Sequence, residues 1–124
     1  MSRTHPLLST PTRDPRALAA IGLYLVEGGQ SLNTLLPTLE GQVDDVDRGF
    51  LRDLLLGSCR YYFRLNAIAK ILLSNSFNDE QEVMHCLLIV GLYQLEIQHK
   101  AAHAAVHATV DACDELGHGQ ARVV

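Results

Sequence analysis

The stretch Cys86-Leu-Leu-Ile-Val-Gly-Leu-Tyr93 decides the fold, because it is apolar on every side. Asp79 and Glu82 precede it three residues apart, the spacing of a capping box that starts a helix. A helix without a polar face must be buried from all directions. We therefore place this fifth helix at the centre of a helical bundle.

The chain before this segment carries the signals of two short helices. Asp14 is a suitable N-cap and Pro15 a suitable first helical residue, so a first helix starts there and ends at Gly28-Gly29. Ser31 is the N-cap of a second helix, which we expect Pro37 to bend or to end early.

Three more helices complete the pattern. Asp44 or Asp45 caps the third helix, and a break near residues 63–65 separates it from a fourth that ends around Leu73. The sixth helix is closed by Gly117 and Gly119, and the sequence shows neither a β alternation nor a repeat. The prediction is an all-α bundle of about six to seven helices.

Composition indicates one domain. The chain has 124 residues, of which 48% are hydrophobic and 19% charged, enough for one core and too few for two. A net charge of −4 excludes a polycation that coats nucleic acid by charge alone. Residues 1–70 carry eight Lys/Arg against seven Asp/Glu, and residues 71–124 carry two against seven. We therefore expect a polyanion to bind the N-terminal half.

The cysteines and the apolar runs indicate the compartment. Cys59, Cys86 and Cys113 form an odd, unpatterned set, which is typical of reduced thiols. Every apolar run is shorter than the roughly 18 residues that span a bilayer, and the first residues lack the apolar core of a signal peptide. We expect a cytoplasmic protein without membrane contact.

No catalytic pattern stands out in the sequence. His99, His103 and His107 recur every four residues, but the fifth helix is expected to end at residues 100–102, so we interpret them as solvated or capping side chains and not as zinc ligands. A thiol in an apolar helical stripe has a raised pKa and is inert. The chain alone is therefore predicted to hold no catalytic residue, no metal and no cofactor.

The basic and aromatic segment C59-R-Y-Y-F-R64 is the candidate for nucleic-acid contact. On one continuous helix, the arginines at 48, 52, 60 and 64 would fall on an arc of about 160°. Guanidinium groups suit phosphates, and aromatic rings stack on unpaired bases. Aspartates on the same helix can neutralise these charges, so residue types alone favour a solvated, salt-bridged face over RNA contact.

Five motifs in register carry a family resemblance. They are GGQSLNTLLPTL, D-x-D-R-G at residues 45–49, L-x-x-G-x-x-R at 54–60, V-G-L-Y-Q-L at 90–95 and H-A-A-V-x-x-T-V at 103–110. In this order the chain resembles, over residues 14–122, the N-terminal NusB-like domain of RsmB/Sun-type ribosomal RNA cytosine 5-methyltransferases. The resemblance implies the NusB all-α fold, with two three-helix subdomains and a further helix.

The resemblance also implies a function and partners. In that family the domain binds RNA and helps to seat small-subunit ribosomal RNA beside a separate catalytic domain, which holds S-adenosylmethionine and is not found in this sequence. Residues 1–13 are then a flexible leader, and residues 14–124 an RNA-binding domain whose last helix is missing or truncated. Loss of that helix would expose apolar surface, so a homodimer is a further expectation.

Four arginines are the predicted RNA contacts: Arg13, Arg16, Arg60 and Arg64. Arg52 is a fifth, reserve candidate. Only Arg13 and Arg16 occupy the region where the antitermination factor of the same family has an arginine-rich segment. Two alternatives stay open. One is a stand-alone antitermination factor that pairs with a ribosomal protein, and the other is a protein-interaction bundle that uses the acidic residues 71–124.

Overall fold

A computed structural model describes residues 6–72 and 82–116, and all regular structure in those ranges is helical. The α-helices are α1 (Pro15–Glu27), α2 (Leu32–Glu40), α3 (Arg48–Arg60), α4 (Tyr62–Leu72), α5 (Glu82–Glu96) and α6 (Ala102–Leu116). Short 3-10 turns occupy Pro6–Ser9 and Asp45–Asp47. The predicted all-α class is confirmed.

Helix α5 lies at the centre, as its composition predicts. It packs against α1, α3, α4 and α6, and most of its side chains from Val83 to Gln94 are buried. Helix α1 is a second central element, because Ala17–Leu23 are fully buried between α5, α3 and α2. The alanines of α1 allow this close packing but signal burial less strongly than the large apolar residues of α5.

Local signals fix the start of α1 and only partly that of α2. The Asp14 carboxylate accepts hydrogen bonds from the backbone N–H groups of Arg16 (2.8 Å) and Ala17 (3.4 Å), which confirms the predicted cap. Ser31 occupies the N-cap position of α2, but its side chain makes no capping hydrogen bond. The helix does not end at Pro37 and continues to Glu40. Pro37 is exposed, so water can solvate the carbonyl group that its missing N–H leaves unpaired.

The third helix ends earlier than the sequence predicts. The break between α3 and α4 lies at Tyr61, whose backbone (φ −102°, ψ 17°) leaves the helical region. At the other end, Asp44 precedes the 3-10 turn that leads into α3 and makes no side-chain cap. Its carboxylate pairs with Arg13 instead, across 3.0 Å. Arg64 therefore belongs to α4, and the arc calculated for one continuous helix does not exist.

Residues 6–13, which the sequence assigned to a flexible leader, contact the bundle. Leu7 and Leu8 pack against the core, and the Gln42 side-chain amide donates to the Leu8 carbonyl oxygen at 2.8 Å. Thr12 is buried, and its hydroxyl accepts from the Asp14 backbone N–H. This segment is therefore packed against the bundle.

Several predictions lie outside the described residues: the Asp79 capping position, the helix end near Leu73, the Gly117 and Gly119 stop and the truncated last helix. The turn between α5 and α6 is described and lies where it was expected, with α5 ending at Glu96 and α6 beginning at Ala102. Across residues 6–72 and 82–116, no helix has the length and apolar character needed to cross a bilayer.

Candidate nucleic-acid interface

The C-terminal end of α5 anchors Arg16 through Gln94. Gln94 is fully buried, and its Oε1 accepts a hydrogen bond from Arg16 Nε at 2.8 Å. Its Nε2 donates to the Val90 carbonyl oxygen at 3.3 Å, which fixes the amide orientation. The second residue of α1 is thereby held against the end of α5, 78 positions away in the sequence.

Phe50 receives two cations. The Arg16 guanidinium carbon lies 4.9 Å from the centre of the Phe50 ring, and Lys100 Nζ lies 4.5 Å from the same centre. Both distances are within the range of cation–π attraction. Lys100 is not among the residues predicted from the sequence, because nothing in the sequence connects a lysine after α5 with a phenylalanine in the first turn of α3.

Tyr93 links α5 to α3. Its hydroxyl donates to Asp53 Oδ1 at 2.9 Å, the Gln98 amide donates to the other oxygen of that carboxylate, and its ring stacks on Tyr61 at 6.4 Å. Burial, followed by the hydrogen bond to Asp53, raises the pKa of Tyr93 to about 12. Tyr93 therefore stays a hydrogen-bond donor at neutral pH.

Arg60 and Arg64 lie beside this link. The Arg60 guanidinium carbon is 5.6 Å from the centre of the Tyr61 ring. Arg64 Nη2 is 4.0 Å from Glu96 Oε2, the outer limit of an ion pair, and both side chains are largely exposed. Four cations thus surround the C-terminal end of α5: Arg16, Arg60, Arg64 and Lys100. We call these four residues the α5 basic arc.

The other predicted arginines are paired with carboxylates. Arg13 Nη1 lies 3.0 Å from Asp44 Oδ1. Arg52 Nε and Nη2 donate to the two oxygens of Glu40 at 3.1 and 3.2 Å, which ties α3 to α2. Three of the five predicted contacts therefore lie in the α5 basic arc, where Arg64 has Glu96 only at 4.0 Å. The other two lie in shorter ion pairs of 3.0 and 3.1 Å.

The thiols are unsuited to nucleophilic chemistry. Burial raises the pKa of Cys86 to about 12, with further contributions from Glu27 and Glu82. Burial also raises the pKa of Cys59 and of Cys113. The nucleophile is the thiolate, so these pKa shifts reduce the reactive form of each thiol at neutral pH.

The histidines are distributed over different parts of the fold. His99 lies in the α5–α6 turn with a positive φ of 55°, while His103 and His107 are exposed on α6. His107 Nε2 is 3.7 Å from Asp111. Within the described part of the chain, no three His, Cys, Asp or Glu side chains are placed to hold a metal ion.

The comparisons with known proteins agree with this fold. The NusB family model matches residues 13–124. Ribosomal RNA small subunit methyltransferase B of Pasteurella multocida is 41% identical over 111 residues, which are 89% of this chain and 24% of that protein. The protein of the same name from Pseudomonas syringae pv. tomato is 42% identical over 104 residues, 83% of this chain and 23% of that protein.

The one from Vibrio cholerae is 38% identical over 102 residues, 82% of this chain and 24% of that protein. The chain thus spans about a quarter of the length of these relatives. The family model covers nearly the whole sequence, and the resemblance noted from the five motifs is confirmed. This chain belongs to the NusB family.

Proposed function

We propose that this chain is the RNA-binding accessory part of a small-subunit ribosomal RNA methyltransferase and is not catalytic by itself. The relatives named above, of which it spans about a quarter, support the parent activity. The chemistry, cytosine 5-methylation from S-adenosylmethionine, then belongs to a separate domain. The raised pKa values of the three thiols support a non-catalytic role for this part.

The α5 basic arc is the observation that carries the proposal. Its cations come from α1, α3, α4 and the α5–α6 turn, yet the fold brings them to one end of one helix. The chain as a whole is acidic, so this local concentration does not follow from composition. Guanidinium and ammonium groups that surround one end of a bundle provide the electrostatic surface that a phosphate backbone needs.

Phe63 adds a feature suited to unpaired bases. Its side chain is 87% exposed and lies between Arg60 and Arg64 in the sequence. Its ring meets Tyr62 edge-on at 5.8 Å, which holds it at the α3–α4 junction. Bases of single-stranded RNA stack on aromatic rings placed beside arginines. Loops and bulges of ribosomal RNA are therefore the expected ligands.

The experiment is a fluorescence anisotropy titration of a labelled small-subunit ribosomal RNA hairpin at several salt concentrations. Each phosphate contact on single-stranded RNA contributes about −0.7 to the slope of log affinity against log salt. The double variant Arg60→Ala/Arg64→Ala is expected to flatten the slope by about 1.4, which corresponds to two lost contacts. Circular dichroism checks that its helical content is unchanged.

The matched control is Arg48→Ala/Arg52→Ala, which also removes two positive charges. These side chains are paired with Asp45 and Glu40, so the slope should stay close to that of the wild type. Equal slopes for both double variants would show that affinity follows net charge, and this would contradict a role for the arc. Absence of binding by the wild type at low salt would refute RNA binding by this chain.

A protein-docking role is the second candidate, and one face of α4 favours it. Phe63, Ala67 and Ile71 follow at helical spacing and are all exposed, with Ile71 82% exposed. Exposed apolar residues in a row are typical of interaction surfaces. Sedimentation of the chain with and without Phe63→Ser/Ile71→Ser tests this role. Self-association that the double variant abolishes would support it, and a monomer in both cases would contradict self-docking.

A further inference from the structure

We propose that Arg16 and Lys100 form a clamp for backbone phosphates of single-stranded RNA, supported by the Phe50 ring and positioned by Gln94. The proposal rests on the proposed function and deepens it, because it assigns a ligand group to specific side chains. Lys100, Phe50 and Gln94 were absent from the contacts predicted by sequence.

Gln94 positions both cations from within the core. Its side-chain Oε1 accepts from Arg16 Nε at 2.8 Å, and its backbone carbonyl oxygen accepts from the Lys100 backbone N–H at 2.9 Å. Gln94 itself is fully buried. One buried residue therefore fixes the guanidinium directly and the start of the lysine side chain through the backbone.

The turn after α5 brings Lys100 back to the helix. His99 has a φ of 55°, in the left-handed region that a non-glycine residue seldom adopts. This conformation reverses the chain direction, so that the N–H of Lys100 reaches the carbonyl group of Gln94. The side chain of Lys100 can then lie on Phe50.

The two cations share one aromatic ring and lack carboxylate partners. Arg16 and Lys100 both lie within 5 Å of one ring centre, so their separation cannot exceed the sum of the two distances. Neither charged side-chain group has a carboxylate within 4.0 Å among residues 6–72 and 82–116. Asp53, one turn along α3 from Phe50, is engaged by Tyr93 and Gln98. An anion that contacts both groups would therefore meet two positive charges that no carboxylate neutralises.

The free donors define the class of that anion. Arg16 uses Nε for Gln94, which leaves the N–H groups of Nη1 and Nη2, and Lys100 keeps three ammonium N–H groups. Non-bridging phosphate oxygens accept such charge-assisted hydrogen bonds.

The lysines of the chain provide the test. The sequence contains only two, Lys70 and Lys100, so Lys100→Gln and Lys70→Gln each remove one positive charge. In the RNA titration, Lys100→Gln is expected to flatten the salt slope by about 0.7, and Lys70→Gln to leave it unchanged. Phe50→Leu keeps both charges, and loss of the cation–π contacts should weaken binding by roughly two- to fivefold. Thermal unfolding confirms that each variant is folded.

Inorganic phosphate separates the clamp from the RNA function. With nitrogen-15 labelled protein, phosphate should shift the Arg16 Nε–H and Lys100 amide signals saturably in the wild type and in Lys70→Gln, but not in Lys100→Gln. RNA binding with equal slopes for the two lysine variants would overturn the clamp and leave the RNA function standing. A phosphate response without RNA binding would overturn the clamp as an RNA site, and absence of both responses would overturn both proposals.

Discussion

Gly57→Ala is expected to destabilise the fold through Tyr93. A Cβ atom at residue 57 would overlap the end of the Tyr93 ring, including its hydroxyl oxygen. The ring is buried, stacks on Tyr61 and donates to Asp53. It therefore cannot move aside without losing these contacts.

The magnitude follows from those contacts. The hydrogen bond to a carboxylate contributes about 1.5–3 kcal/mol, and the aromatic pair about 0.5–1.5 kcal/mol. Alanine in place of glycine stabilises the helix by about 1 kcal/mol through its higher helix propensity. The free energy of unfolding should therefore fall by about 2 kcal/mol, which lowers Tm by about 6–10 °C in a domain of this size.

Urea and thermal unfolding followed by circular dichroism measure this effect. The matched control is Gly49→Ala in the first turn of the same helix, where nothing lies within 4 Å of an added Cβ. It should be neutral or stabilising by up to about 1 kcal/mol. The reasoning is refuted if Gly57→Ala is as stable as Gly49→Ala, or if its effect is additive with that of Tyr93→Leu, which removes the overlapping ring.

Three further predictions concern single side chains. Cys86, with a pKa of about 12, should react with a thiol reagent at pH 8 only as fast as the protein unfolds, and rapid labelling of the folded protein would contradict its burial. Burial, followed by the charge of Lys70, lowers the pKa of His85 in the folded protein. Proton uptake therefore favours the unfolded chain, and the free energy of unfolding should fall as pH drops through about 6.5. An NMR titration of the His85 ring with a midpoint at or above that value would disprove this. Because the chain has no tryptophan, Phe63→Trp gives a single reporter, whose fluorescence RNA should quench by stacking; a blue shift without quenching would indicate an apolar protein contact instead.

The parts of the fold that the sequence predicts are those with local causes. Asp14 caps α1 through backbone groups two and three residues away, and α5 is central because its own residues are apolar on every side. The break at Tyr61 was predicted two residues too late, because aromatic residues continue the helical stripe across it. At the break, Tyr61 packs against Tyr93, a tertiary contact that the sequence does not show.

The candidate site was predictable only in part, because its contacts join residues that are distant in the sequence. Arg16, Arg60 and Arg64 were identified as residue types, but the pairing of Arg52 with Glu40 depends on how α2 lies against α3. Lys100 meets Phe50 through the fold alone. A usable signal did exist in Gln94, because an amide that directly follows an apolar helix segment must find a buried partner.

The most direct test of the account is to map RNA contact by nitrogen-15 NMR on the labelled chain. A single-stranded ribosomal RNA loop should shift signals at Arg16, at residues 60–64 and at residues 98–100, which lie around the C-terminal end of α5. Signals around Asp44, Glu40 and Arg52 should change little, because those charges are already paired. Shifts concentrated on α6 or on the α2–α3 ion pairs, or no shifts at low salt, would contradict the central claim.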